Sequence, residues 1–402
     1  MSARWALLLA CMVACGDKSG ARATVRDDGL VGCRKIKAES QCTVRGSLTP
    51  FVIRELRKND ILSRSTLVLD PSAAAPDSMS HLPELGDAVT VLEISTGENA
   101  PVDLSALEGL PSLKRLRIKL GDRYSFHSRG GLEVLSRLTG LVELEISNAR
   151  LSSLRFLAPL AGLEKLSLWR GTIESLDDIG EHPSLRELDL SAVGESAPLA
   201  SLAALSGLES LTLRTDAAAC DLAWLPRLER LTSLSVNAFR CAGPTDPSVF
   251  ARIPKLEKLR LQGVKLPTIA PLAEAAALTS LMLESTGDLK EIEALARAPK
   301  LRSLYVLGLS DFSRVEPLTQ LERLEIYSAT MPEKTESLGK LTRLKELGLY
   351  IFAKQSVGSL PFIESLPELK RISIQGDYLN RGGRDALKRR FPALEQVETL
   401  PD

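Results

Sequence analysis

From Val89 almost to the C-terminus, apolar side chains return in one phrase, L-x-x-L-x-L, about every 23 residues. Clear copies are Leu141-Leu144-Ile146, Leu163-Leu166-Leu168, Leu185-Leu188-Leu190, Leu208-Leu211-Leu213, Leu256-Leu259-Leu261 and Leu278-Leu281-Leu283. Looser copies begin at Val89, Leu113, Leu231, Leu301, Leu321, Leu344, Leu369 and Leu394. Within a phrase the last two apolar residues flank a polar one, as in Leu166-Ser167-Leu168, which is the period of a half-buried strand. Between phrases the spacing changes to three, as in Leu151, Leu154, Leu157, Leu160 and Leu163. That spacing suits short 3₁₀ turns, where residues i and i+3 eclipse. Each unit therefore reads as a short strand, a turn and a return path of tight helical turns. One unit cannot bury its own leucines, so about fourteen must stack into a solenoid. Intervals near 23 are too short for the helix pairs of helical repeats, which need about 33 or more.

The phrase and its period resemble the leucine-rich repeat family, most of all bacterial repeats of about 22 residues such as those of internalins. The likeness covers residues 89–400. It implies an α/β leucine-rich repeat solenoid, right-handed and curved. Short parallel strands would line its concave side, with 3₁₀ or irregular turns on the convex side. It also implies that the protein binds a protein partner through the concave sheet. The family usually places Asn or Cys three residues after the third leucine, where it satisfies backbone groups of the turn. This chain instead carries Ala149, Gly171, Val193, Asp216, Phe239, Val264, Thr286, Leu309, Ala329 and Phe352 there.

The front end reads differently. Arg4 precedes an apolar run from Trp5 to Ala14, which suits a signal-peptide core and is too short to span a bilayer. Met12-Val13-Ala14-Cys15-Gly16 resembles the lipobox of bacterial lipoproteins, and Leu8-Leu9-Ala10-Cys11 is a second such box. The second would leave a shorter apolar run, so the resemblance is taken to imply acylation of Cys15. Two or more acyl chains would give a stable anchor, at about 0.8 kcal/mol per buried CH₂. The expected division is a signal peptide at 1–14, a lipid-anchored tether at 15–29, an N-terminal cap at 30–88, repeats at 89–376 and a C-terminal cap at 377–402. Leu67-Val68-Leu69 reads as an irregular first strand within the N-terminal cap, and Asp385–Leu394 as a short amphipathic helix in the C-terminal one. The bacterial envelope follows as the location. Gly16, rather than Asp, after the Cys favours the outer membrane over the inner.

Four cysteines lie beyond the signal region. Cys33 and Cys42 flank a short loop, and Cys220 and Cys241 stand 21 residues apart, almost one repeat. Neighbouring coils bring Cα atoms within the roughly 7 Å that a disulfide needs. The two local pairs, Cys33–Cys42 and Cys220–Cys241, are therefore expected in an exported chain.

Charge balances at 51 Lys and Arg against 51 Asp and Glu, so no global basic field invites nucleic acid. A protein partner and a membrane held through the lipid are expected, with the chain itself a monomer. The strand positions between and after the leucines should face outward, and among them Trp169, Tyr305, Arg323, Glu325, Tyr327, Glu346 and Tyr350 form the candidate partner site. Only five tyrosines exist, and three of them fall on neighbouring coils at such positions. Tyr and Arg are the usual energetic anchors of interfaces. The residues 121–130 lengthen one repeat and read as a surface loop. His81, His127 and His182 sit in no metal-binding or nucleophile motif. No catalytic residue, metal site or cofactor is assigned. Adhesion to another cell and a purely structural envelope role are the alternatives to partner binding.

Overall fold

The computed structural model describes residues 29–36, 39–46, 48–58, 65–70, 79–95, 104–120, 132–194, 197–215, 221–239, 244–286, 289, 291–328, 333–351, 361–375, 389 and 396–400. Cys15, the 121–130 insertion, Cys220, Cys241 and all but one residue of the expected helix at 385–394 lie outside the described residues. The chain forms two compact units, Met1–Gly207 and Leu208–Asp402.

The first unit contains β1 (Gly29–Ile36), β2 (Glu39–Gly46), β3 (Ser65–Asp70), β4 (Val91–Ser95), β5 (Arg115–Lys119) and β6 (Glu143–Ser147). It continues with β7 (Arg150–Leu151), β8 (Lys165–Trp169), β9 (Thr172–Ile173) and β10 (Glu187–Val193), and a helix, α1 (Pro50–Lys58), follows the β1–β2 hairpin. Strands β2, β3, β4, β5, β6, β8 and β10 pair in that order, all parallel. The parallel ladder thus starts ahead of the Val89 phrase, with Leu67 and Leu69 of β3 opposite Leu92 and Ile94. The antiparallel β1 and the apolar face of α1, through the buried Val52, Ile53 and Leu56, close the N-terminal edge. Cys33 of β1 stands directly opposite Cys42 of β2, and Cys42 is buried and disulfide-bonded.

The second unit is built from β11 (Ser210–Thr215), β12 (Ser233–Asn237), β13 (Lys258–Gln262), β14 (Ser280–Glu284), β15 (Ser303–Leu307), β16 (Arg323–Ser328), β17 (Glu346–Ile351), β18 (Arg371–Gln375) and β19 (Gln396–Leu400). All pair in parallel with their chain neighbours. The phrase leucines stack in register, so that Leu234, Leu259, Leu281, Leu304, Leu324 and Leu347 form one row. None of the six is more than 2% exposed. A side chain so buried contributes roughly 1.5–3 kcal/mol against leaving it in water. This repeated stacking is the core of a leucine-rich repeat solenoid.

Most of the described return paths are the expected 3₁₀ turns; the one between β12 and β13 instead carries a short α-helical turn, Ser248–Ala251. In one of the 3₁₀ turns Leu138 and Leu141 donate their N–H groups to the carbonyls three residues back, at 3.0 Å each. The residue just after a strand often turns into the left-handed region, as at Asn148 (φ 61°), Arg170 (55°), Gly263 (71°), Ser285 (52°) and Gly308 (96°). Backbone bonds between coils serve the turns where the family relies on Asn. Asn148 N–H donates to the Trp169 carbonyl at 2.9 Å, Thr172 to Ala149 at 2.9 Å, Gly263 to Glu284 at 2.8 Å and Gly308 to Tyr327 at 2.7 Å. Strands β7 and β9 are the parallel extension of this bonding. With that backbone satisfied, the former Asn position becomes another core row, in which Ala149, Val193, Val264, Thr286 and Leu309 are buried. Phe239 departs from the row at 58% exposed, its ring laid over the backbone of Gly263.

Candidate functional site

In each strand of the second unit, alternate residues leave the core and point outward, because side chains of a strand alternate between faces. Two outward rows cross β13 to β18. Arg260, Met282, Tyr305, Glu325, Gly348 and Ser373 stand in register in the first. Leu307, Tyr327 and Tyr350 stand in register in the second.

The three tyrosines form a stacked ladder. Tyr327 and Tyr350, opposite one another on β16 and β17, have ring centroids 4.1 Å apart and planes 19° from parallel. Tyr305 belongs to the other row and reaches Tyr327 diagonally, with centroids 4.9 Å apart and planes 37° from parallel. Such offset stacking adds about 0.5–1.5 kcal/mol per pair beyond burial. Tyr350 is only 8% exposed and serves as the base of the stack, whereas Tyr305 and Tyr327 are half-buried. Leu307, the register partner of Tyr327, is 36% exposed, one of two large apolar side chains at or above that level among the described residues.

A glycine makes room for this arrangement. A Cβ on Gly348 would stand 2.8 Å from Cε2 of Tyr350 and 2.9 Å from Cγ of Glu325. The missing side chain is therefore the space into which the Tyr350 ring leans. Ion pairs border the ladder. Arg323 donates from Nε to Glu325 at 2.8 Å and lies 3.4 Å from Glu346, which also pairs with Arg371; Arg260 lies 3.8 Å from Glu284. Burial, then a hydrogen bond to Glu284, pushes the Tyr305 phenol well above its ordinary range. Burial, then the nearby Tyr350 and Glu325, pushes Tyr327 up to about 12. Tyr305 and Tyr327 are uncharged at any physiological pH.

Trp169 belongs to the first unit. Its Nε1 donates to Glu145 at 3.0 Å, and the Arg170 guanidinium lies 5.2 Å from the ring centroid. Around it the outward face alternates in sign from coil to coil: Lys119 pairs with Glu93 at 2.8 Å, Arg117 with Glu145 at 3.2 Å and Lys165 with Glu187 at 2.6 Å. Of the seven residues singled out in the sequence, the structure thus brings Tyr305, Arg323, Glu325, Tyr327, Glu346 and Tyr350 into one cluster. Sequence reasoning left out Glu284, Leu307, Gly348 and Arg371 from that cluster. Gly348 was findable, because it sits between two buried leucines, Leu347-Gly348-Leu349, where the preceding coils carry Tyr305 and Glu325. Among the described residues, no group of three or more His, Cys, Asp or Glu is placed to hold a metal ion, and no helix is long and apolar enough to cross a membrane.

No family model matches the sequence, and no curated protein matches it either. Solved structures do match. A leucine-rich repeat protein of Leptospira interrogans superposes with a TM-score of 0.59 at 18% identity, over 87% of this chain and 92% of that one. An internalin (inlF) from Listeria monocytogenes superposes with a TM-score of 0.51 at 20% identity, over 76% of this chain and 90% of that one. A chain of the Drosophila Toll–Spatzle complex superposes with a TM-score of 0.56 at 15% identity, over 92% of this chain and 61% of that one. At these identities the likeness is one of fold, and the fold is that of leucine-rich repeat proteins.

Proposed function

We propose that the protein is a non-catalytic leucine-rich repeat scaffold, held at the bacterial envelope by lipid on Cys15, that binds a protein partner through the outward face of β15 to β17. The observation that carries the partner site is the tyrosine ladder: three of the five tyrosines of the chain converge there, already ordered against one another. Ordered aromatic side chains lose little entropy on docking, which is why they dominate interface energetics. The Toll structure is of a complex with Spatzle, which lends the fold a precedent for protein binding. The inward phrase residues already fill the core and require no apolar side chain on the outward face, so the exposed Leu307 beside Tyr327 adds to the case.

The remaining parts of the proposal rest on sequence. Cys15 carries the anchor, the outer membrane is favoured over the inner, the chain is a monomer, and Cys33–Cys42 and Cys220–Cys241 are the disulfides. Crosslinking in the native envelope, followed by identification of what is caught, tests the partner role. Tyr305→Ala with Tyr327→Ala should reduce the captured partner about tenfold or more; unchanged capture discards the site. Cys15→Ser should move the protein from the detergent phase to the aqueous phase, and continued partition into detergent discards the anchor.

A further inference from the structure

We propose that Tyr305, Leu307 and Tyr327 form a preformed docking strip for an uncharged, apolar stretch of the protein partner, and that Gly348 is the positioning residue that sets its shape. This rests on the partner-binding reading of the same face.

Shape comes first. With Tyr350 at its base the strip crosses three neighbouring parallel strands, β15 to β17, which lie about 4.8 Å apart, so it offers roughly 10 Å of ordered surface. That matches about three residues of extended chain. Tyr350 is the base of the strip, 8% exposed, and it stacks under Tyr327 only because Gly348 has no side chain to occupy its place. The clash that any larger residue would meet at Gly348 is with side-chain atoms, Cε2 of Tyr350 and Cγ of Glu325, rather than backbone. A substitution there therefore displaces the ring before it breaks the coil.

Charge decides the class of partner. Arg323 is bound to Glu325 and Glu346, Arg371 to Glu346 and Arg260 to Glu284. The charges that rim the strip are thus matched within the face itself. A partner carboxylate or ammonium would have to compete with an existing pair, whereas an apolar segment needs only to cover Leu307 and the rings. Such a core inside a satisfied polar rim is the usual anatomy of an interface hot spot. Binding of this kind depends little on salt, because screening acts on unpaired charge.

The experiment uses the full-length protein, immobilised, and two pools of short synthetic peptides. One pool is built from Leu, Val, Phe, Pro and Ser, and the other has Lys or Glu at every third position. Preferential retention of the uncharged pool, unchanged between low and half-molar salt, is expected. Gly348→Ala should cut that retention about tenfold and weaken the near-ultraviolet circular dichroism of the tyrosines. Leu307→Asp should cut it as much while leaving the tyrosine signal intact, and Ser235→Ala should change neither. Preference for the charged pool, salt-sensitive retention or retention of neither pool overturns the partner class. An unchanged tyrosine signal in Gly348→Ala overturns the role of Gly348. These failures are separate from failure of the partner-binding reading, which shows only as native crosslinks indifferent to Tyr305 and Tyr327.

Discussion

His182 shows how much one residue can depart from a repeat without breaking it. It occupies the slot three residues before the first phrase leucine, where neighbouring coils carry Leu138, Leu160, Leu205 and Leu228. Its carbonyl still accepts the Leu185 N–H at 3.1 Å, as Leu160 does for Leu163, so the 3₁₀ turn survives the exchange. The imidazole is 3% exposed, and neither ring nitrogen has a partner in hydrogen-bonding geometry. The carbonyls of Ile179 and Leu160 favour its protonation, but desolvation is the larger effect and lowers its pKa below the ordinary 6.5. The folded state therefore holds His182 neutral where the unfolded chain binds a proton. Its contribution to stability is full above the unfolded value and is lost as pH falls from there to the depressed folded value. The melting temperature should drop between pH 7.5 and pH 5 for this reason. His182→Leu should raise stability by about 1–3 kcal/mol, the cost of an unsatisfied buried polar group, and more at pH 5 than at pH 7.5. A mutant whose gain is the same at both pH values would show that His182 does not titrate with folding.

Coils are held to their neighbours by two kinds of contact, and each has its own sensitive position. Leucine rows supply the first. Leu304 is fully buried between Leu281 and Leu324. Leu304→Ala should cost about 2–5 kcal/mol, transfer plus cavity. Because each repeat touches only the next, hydrogen-exchange protection should fall first in β14 to β16 and much less in β11. Uniform loss across the unit would contradict nearest-neighbour stacking. Close backbone approach supplies the second. A Cβ on Gly171 would stand 1.9 Å from the Ala149 carbonyl oxygen, the same oxygen that accepts the Thr172 N–H at 2.9 Å. Gly171→Ala must therefore push β7 and β9 apart and should cost at least about 2 kcal/mol, read as a shift in the urea midpoint. The sequence announced strands and 3₁₀ turns because their periods, two and three, are local properties of one coil. It did not announce how turns lacking Asn are satisfied, since bonds such as Gly308 to Tyr327 join residues a full coil apart. Nor could it show that Tyr305, which the phrase puts one row away from Tyr327 and Tyr350, still stacks on Tyr327 across the diagonal.

At the scale of the whole molecule, a solenoid has ends, and an end coil exposes leucines unless something covers them. In the first unit the cover is the β1–β2 hairpin with α1, where Cys42, Val44, Val52 and Leu56 are all at most 2% exposed. A nine-residue helix and one antiparallel strand are marginal by themselves in water, so the cover needs reinforcement. The disulfide at Cys42 supplies it, and Cys33, opposite Cys42 in register, is the partner we propose. A bridge closing a loop of about ten residues stabilises by roughly 2–3 kcal/mol through the chain entropy it removes from the unfolded state. Peptide mapping without reductant should recover Cys33 and Cys42 in one linked pair; a link from Cys42 to Cys220 or Cys241 would refute the pairing. Reduction, or Cys42→Ser, should then expose β1 to β3 to hydrogen exchange before any other strands of the first unit. The near-ultraviolet signal of the tyrosine ladder should persist through that step, because Tyr305, Tyr327 and Tyr350 depend on β15 to β17 and not on the N-terminal edge. Loss of both signals in one transition would mean that the edge governs the folding of every coil, and a chain of nearest-neighbour contacts could not produce that behaviour.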